Sequence, residues 1–178
     1  MSVPVGVPLR WQFDLTWELF TYHLARLEPA DFHWEPAAHC WTVRRAPDGR
    51  WVPDWADTEP DPVPVPTISW LVWHIGWWWG NAVGQLRGHP VRPHTDVDWP
   101  GAGEPALSWL RDLDTQWRDL LDRITDADLD GAVSFPWPAG SGYTVAHLVA
   151  WVNSELMKNV AEIGQLRLLR AAAHPSTG

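Results

Sequence analysis

Trp151–Leu166 reads WVNSELMKNVAEIGQL, a helical stretch that carries Glu155, Lys158, Asn159 and Glu162 among residues otherwise fit for a core. At about 100° per residue those four fall within roughly a 100° arc, one polar stripe about two turns long. A second stretch, SWLVWHIGWWWGN at Ser69–Asn81, offers a single ionisable residue, His74, ringed by Trp70, Trp73, Trp77 and Trp78. If the two helices pack together, His74 faces the stripe in an aromatic pocket that also takes in Trp151 and Lys158. Charges in such a place are costly unless paired or used.

The rest of the chain is consistent with that picture. At 178 residues it is expected to be one domain, residues 1–178, long enough to bury a real core. A formal net charge of −9 and the lack of a sizeable Lys/Arg cluster argue against a nucleic-acid partner. The single cysteine, Cys40, excludes an internal disulfide framework and suits a reducing cytosol. MSVPVGVPLRWQF lacks a basic region followed by an apolar stretch, so no signal peptide is expected. The apolar runs are too short and too interrupted to span a membrane. These observations predict a cytoplasmic protein. Sixteen tryptophans are the compositional outlier. Most are expected to be core volume, and those at Trp70–Trp79 to form a rigid aromatic wall.

Four helices are expected. The first covers residues 9–27, with Trp11, Leu15, Leu19 and Tyr22 at helical spacing, and stops before Glu28-Pro29 because the residue before proline avoids the α region. His23 reads there as a partly exposed helix residue. The second runs from an N-cap at Thr67 to about Arg87, and Gly76, Gly80 and Gly84, four residues apart, would let another helix approach. The third spans about Glu104–Thr125, opened by Pro105, with Leu107, Leu110, Leu113, Trp117, Leu120, Leu121 and Ile124 inward. Its charges, Asp112, Asp114, Arg118, Asp119, Asp122 and Arg123, read as a solvated face. The fourth covers about Thr144–Ala172, followed by a frayed HPSTG tail. The short link between the last two favours antiparallel neighbours. Residues 29–66, with eight prolines, do not look helical. They hold a hairpin-like unit, Cys40–Arg45 and Arg50–Trp55 about a Pro47-Asp48-Gly49 turn, then an extended DTEPDPVPVP lead-in at 57–66. A crossover this long is expected to cover something. His39-Cys40 within it reads as loop packing.

The pattern resembles the DinB superfamily of four-helix bundles, and specifically an actinobacterial-type subgroup. The resemblance is carried by Thr67–Ile75 (TISWLVWHI), Asp98-Trp99-Pro100-Gly101, the Trp34-Glu35-Pro36 step and Trp151–Gln165. It implies an all-α, up-down-down-up bundle with a long Pro/Trp-rich crossover between the first two helices. It also implies a divalent metal such as zinc or nickel, held by one histidine of the second helix and two histidines four residues apart in the fourth, just before a Gly-Gln pair. Several members resemble thiol S-transferases that use mycothiol, bacillithiol or glutathione. His74 matches the second-helix ligand. Registering the fourth helix on Gly164-Gln165 puts Glu162 at the last ligand position and Lys158 at the first.

That lysine divides the readings, because an ammonium has no lone pair with which to ligate. In one, His74 and Glu162 hold a zinc, nickel or manganese ion, Asn159 or Glu155 completes the shell, and His74 and Glu162 are the catalytic pair of a metal-dependent thiol S-transferase or hydrolase. The partners are then a small-molecule substrate and a low-molecular-weight thiol. His147 lies too far along the axis to join Glu162 at one ion. In the other, Lys158 pairs with Glu155 and Glu162, and the ion network replaces the metal in a non-catalytic module. A water-accessible cavity beside His74 favours a ligand site, and a dry closed cluster favours a structural role. A homodimer through helix faces, with Trp77–Trp79 exposed, and a nucleophilic Cys40 are the remaining readings. No nucleotide loop, nucleophile elbow or zinc-finger spacing occurs.

Overall fold

The computed structural model describes residues 6–174. The remainder of the HPSTG tail and the first five residues lie outside that range. Five α-helices and four short strands follow the chain as α1 (Gly6–Leu24), α2 (Pro29–Phe32), β1 (Cys40–Trp41), β2 (Val43–Arg45), β3 (Trp51–Pro53), β4 (Val65–Pro66), α3 (Ile68–Leu86), α4 (Glu104–Leu121) and α5 (Val145–Ala173). The long helices α1, α3, α4 and α5 form an all-α bundle whose directions are fixed by side-chain pairs. Asp14 with Arg118 and Arg10 with Asp122 set α1 against α4 in opposite senses. Trp109 against Gly76 and Gln116 with Arg87 set α3 and α4 parallel. Asn153 on Leu9 and His23 on Gly164 set α5 parallel to α1. The result is the expected up-down-down-up order. α4 and α5 do run antiparallel, but α5 packs chiefly on α1 and α3, and α4 on α3. They face each other across the bundle rather than as nearest neighbours.

α1 begins and ends about three residues earlier than its periodicity suggests, because Glu28-Pro29 opens a helix instead of merely closing one. Pro29 stands in the first turn of α2, where no N–H is needed, and the Glu28 N–H donates to Asp31 Oδ2 at 2.6 Å. A short helix thus sits in a segment that prolines had marked as non-helical. Asp31 is buried and paired with Arg170 of α5 at 2.7 Å, which clamps the start of the crossover to the bundle.

The inward face of α1 is Phe13, Thr16, Phe20 and Leu24. The row that announced the helix, Trp11, Leu15, Leu19 and Tyr22, points outward. Both rows have helical spacing, and the core takes the one with two phenylalanines. The glycines of α3 also divide: Trp109 of α4 rests on Gly76, while Gly80 has nothing nearby. On α4 the buried positions are Ala106, Leu110, Leu113 and Trp117. Asp114 and Arg118 are not simply solvated: they pair at 2.8 Å, and Arg118 reaches Asp14 of α1. Burial raises the Asp114 pKa against the pull of Arg118.

The hairpin forms as its turn chemistry requires. β2 and β3 pair antiparallel with Arg44 opposite Val52, and Gly49 takes φ +85° in the connecting turn. The proline ladder after it ends in a pairing the pattern did not announce, β1 with β4 in parallel. Prolines at 62, 64 and 66 leave the N–H of Val65 free to donate to the His39 carbonyl at 3.0 Å. Thr67 then caps α3, its hydroxyl accepting from the Trp70 N–H at 3.3 Å within a buried cluster of Thr42, Thr67 and Ser69 hydroxyls 2.9–3.2 Å apart. Thr67→Val removes the cap and leaves two buried hydroxyls short of a partner. We expect a loss of about 1–2 kcal/mol in urea denaturation, and an unchanged midpoint would contradict this account.

Candidate functional site

His74, Trp77 and Trp78 follow one another at i, i+3 and i+4 on α3, so they share a face. Trp151, Glu155 and Lys158, at i, i+4 and i+7, do the same on α5. The two faces meet along a cleft of about 640 Å³, closed on a third side by Ser134–Pro138 and edged by Val91. Its walls are mainly aromatic: Phe135 and Trp151 rings lie 5.7 Å apart, Trp78 and Trp151 5.3 Å, and Trp137 and Trp151 6.2 Å. The Ser134–Pro138 wall escaped the sequence reading, since a loop has no periodicity to betray a face. The available signal was the FPWP run itself, two large aromatics held between prolines in an otherwise polar Gly/Pro loop.

His74 stacks on Trp70 with centroids 4.7 Å apart and planes 12° off parallel. Its Nδ1 is buried without a hydrogen-bond partner. Burial, and then the nearby Lys158 ammonium, push its pKa down to about 3, so the ring is neutral at physiological pH. Trp70 is held from the crossover side, donating its N–H to the Asp54 carbonyl at 2.8 Å and stacking with Trp41 at 5.0 Å. Trp55 meets Trp73 and Trp77 edge-on. The crossover therefore covers the aromatic face of α3 and backs His74. Trp73 is fully buried and donates to the Val97 carbonyl, so it supports the cleft without lining it.

The polar stripe of α5 splits in two. Lys158 pairs with Glu155 at 2.8 Å, and both line the cleft. Asn159 is buried; it accepts from the Trp78 N–H at 3.2 Å and donates to Glu162 Oε2 at 2.9 Å. Lys158 thus reaches one of the two carboxylates expected of it, and Glu162 is engaged by Asn159. The remaining candidates lie elsewhere. His147 meets the Thr144 N–H at the start of α5. The Cys40 thiol donates to the Ala37 carbonyl at 2.9 Å and takes no part in the cleft. Half-buried His23 packs on Gly164, its pKa lowered by burial and then by Arg167 and Arg26. Trp78 and Trp79 are buried, so Trp77–Trp79 do not form an exposed patch.

A family model of the DinB superfamily matches residues 12–163. The chain belongs to the DinB superfamily. No curated protein and no solved structure gives a significant match. The metal that the superfamily resemblance implies can be tested against the side chains themselves. Asn159 and Glu162 satisfy each other and Trp78, Glu155 is neutralised by Lys158, and an ammonium stands beside the imidazole. Among the described residues no group of three His, Cys, Asp or Glu side chains is arranged to hold an ion. In this arrangement the donors do not fit a divalent metal. No described helix is long and apolar enough to cross a membrane.

Proposed function

We propose that this DinB-superfamily protein binds a small, largely apolar molecule in the His74 cleft without a metal ion. The observation that carries the reading is the Lys158–Glu155 pair, 2.8 Å apart at the wall of an open aromatic cleft. A pair that merely filled the core would leave no space beside it. Here the cleft adjoins His74, which offers a neutral ring as a hydrogen-bonding group, and the indoles of Trp77, Trp78 and Trp151 offer stacking surface. The Lys158–Glu155 pair supplies a fixed ammonium donor and a carboxylate acceptor at the wall in place of an ion.

The metal-dependent thiol S-transferase is the second reading, favoured by the unpartnered His74 Nδ1. It requires Asn159 or Glu155 to leave its present partner and close on an ion with His74 and Glu162.

Elemental analysis of tag-free protein, before and after incubation with zinc, manganese and nickel, separates the two. The expected result is well under one equivalent of metal in the wild type and a gain toward one equivalent in Lys158→His, which restores an imidazole at that position. A wild type carrying near one equivalent, lost in Glu162→Gln, would overturn the metal-free reading. Ligand binding is tested separately with anilinonaphthalene sulfonate as an apolar, aromatic probe. Val91→Trp, at an exposed edge of the cleft, should weaken its binding by about tenfold or more. Equal binding to both proteins would place the probe elsewhere and remove support for the cleft.

A further inference from the structure

Helix α1 is apolar on two opposite sides. Phe13, Thr16, Phe20 and Leu24 are buried in the bundle. Trp11, Leu15, Leu19 and Tyr22 are exposed by 65%, 47%, 38% and 51%. At about 100° per residue the two rows point roughly 150° apart, so no rotation of α1 could bury both within one bundle. A single exposed leucine needs no explanation, but a continuous row along three turns does.

We propose that the outer row of α1 is the contact surface for a second copy of this chain, α1 against α1. Residues at i, i+4, i+8 and i+11 form a ridge of the kind that packs into the grooves of an identical ridge, with axes crossing at about −50°. A two-fold axis across the row makes such a contact self-complementary. The four side chains, with exposed Val7 at the N-terminal end, offer on the order of 500 Å² per copy. Two copies then bury at most about 1,000 Å², the lower bound for a specific pairing. Two of the charged residues nearest the row are drawn away from it, and a third covers one face of Tyr22. Arg10 and Asp14 are turned to Asp122, just past α4, and Arg118 of α4, and the Arg26 guanidinium lies over the Tyr22 ring at 3.7 Å. Glu18 and Arg26, one charge of each sign, remain as rim residues. No residue of the row lines the His74 cleft, so pairing leaves both clefts open and is independent of what they bind.

Sedimentation or light scattering of the full chain over a range of micromolar concentrations reads this directly. The expected wild-type mass at the upper end is twice 20.2 kDa. Leu15→Glu and Leu19→Glu should each raise the dissociation constant at least about 100-fold, with circular dichroism showing the bundle intact because both side chains are exposed. Mixing Leu15→Glu with Leu15→Lys should restore part of the association, which a merely misfolded variant could not do. A wild type that stays monomeric throughout would overturn the proposal and leave the row for an unrelated partner. So would a dimer indifferent to both substitutions.

Discussion

Gly76→Ala is expected to destabilise the protein by at least about 3 kcal/mol, at the upper end of what overpacking costs. A Cβ at this position would overlap Cη2, Cζ2 and Cζ3 of Trp109. Those are atoms of a rigid indole rather than the tip of a flexible chain, so relief requires either a swing of the ring or separation of α3 from α4. Swinging the ring gives up its packing on the core; parting the helices disturbs Leu110 and Leu113, which are buried on the same helix. Opposing this, alanine is the better helix former by about 1 kcal/mol. Urea denaturation of Gly76→Ala, Trp109→Ala and the double variant separates the effects. If the clash is the cause, alanine at 76 becomes nearly neutral once Trp109 is gone, and the cycle shows strong coupling. Additive losses would show that the close approach is not what makes glycine necessary here.

Gly76 also shows how far the sequence can be read. Glycines four residues apart imply that something comes close, and Trp109 does, but their spacing does not say which one is used. α1 makes the same point through its two apolar rows. Period alone establishes the helix, and the choice of inward face depends on which row the other helices can pack against. The polar stripe of α5 was legible as one face, and its four residues do share it. Its division into Lys158–Glu155 and Asn159–Glu162 was not, because the deciding group is the Trp78 N–H, which arrives from another helix. Thr67 and the Pro47-Asp48-Gly49 turn were readable for the opposite reason: a cap and a tight turn are closed within a few residues by their own chemistry. The Phe135–Trp137 wall and the parallel β1–β4 pairing depend on contacts distant in sequence and carry no local period.

Lowering the pH from about 6.5 toward about 3 should progressively destabilise the bundle through His74, because its pKa is ordinary, 6.5, in the unfolded chain and pushed down to about 3 in the folded one. Between those values the unfolded state binds a proton that the folded state refuses. The stability gained by keeping the ring neutral is therefore complete above about pH 6.5 and is lost as the pH falls through the window. The ceiling for such a difference is about 4–5 kcal/mol at about 1.36 kcal/mol per pKa unit, and the open cleft admits water, so about 2–3 kcal/mol is expected. Burial supplies most of the depression and Lys158 the rest. Lys158→Met should consequently let the pKa rise part of the way back, whereas Trp70→Ala, which opens the ring to water, should restore more. Carboxylates also titrate in the lower part of this range. The measurement is thus the difference between wild type and His74→Gln in urea denaturation from pH 7 to pH 4.5, where histidine protonation dominates. A His74 ring that titrates near 6.5 by NMR, or an equal acid sensitivity in the variant, would refute the assignment. The same neutrality bears on binding. A ring that does not charge can accept a hydrogen bond from a ligand across the physiological range, and affinity in the cleft should then be flat from pH 8 down to about 5 for any ligand that does not itself titrate there.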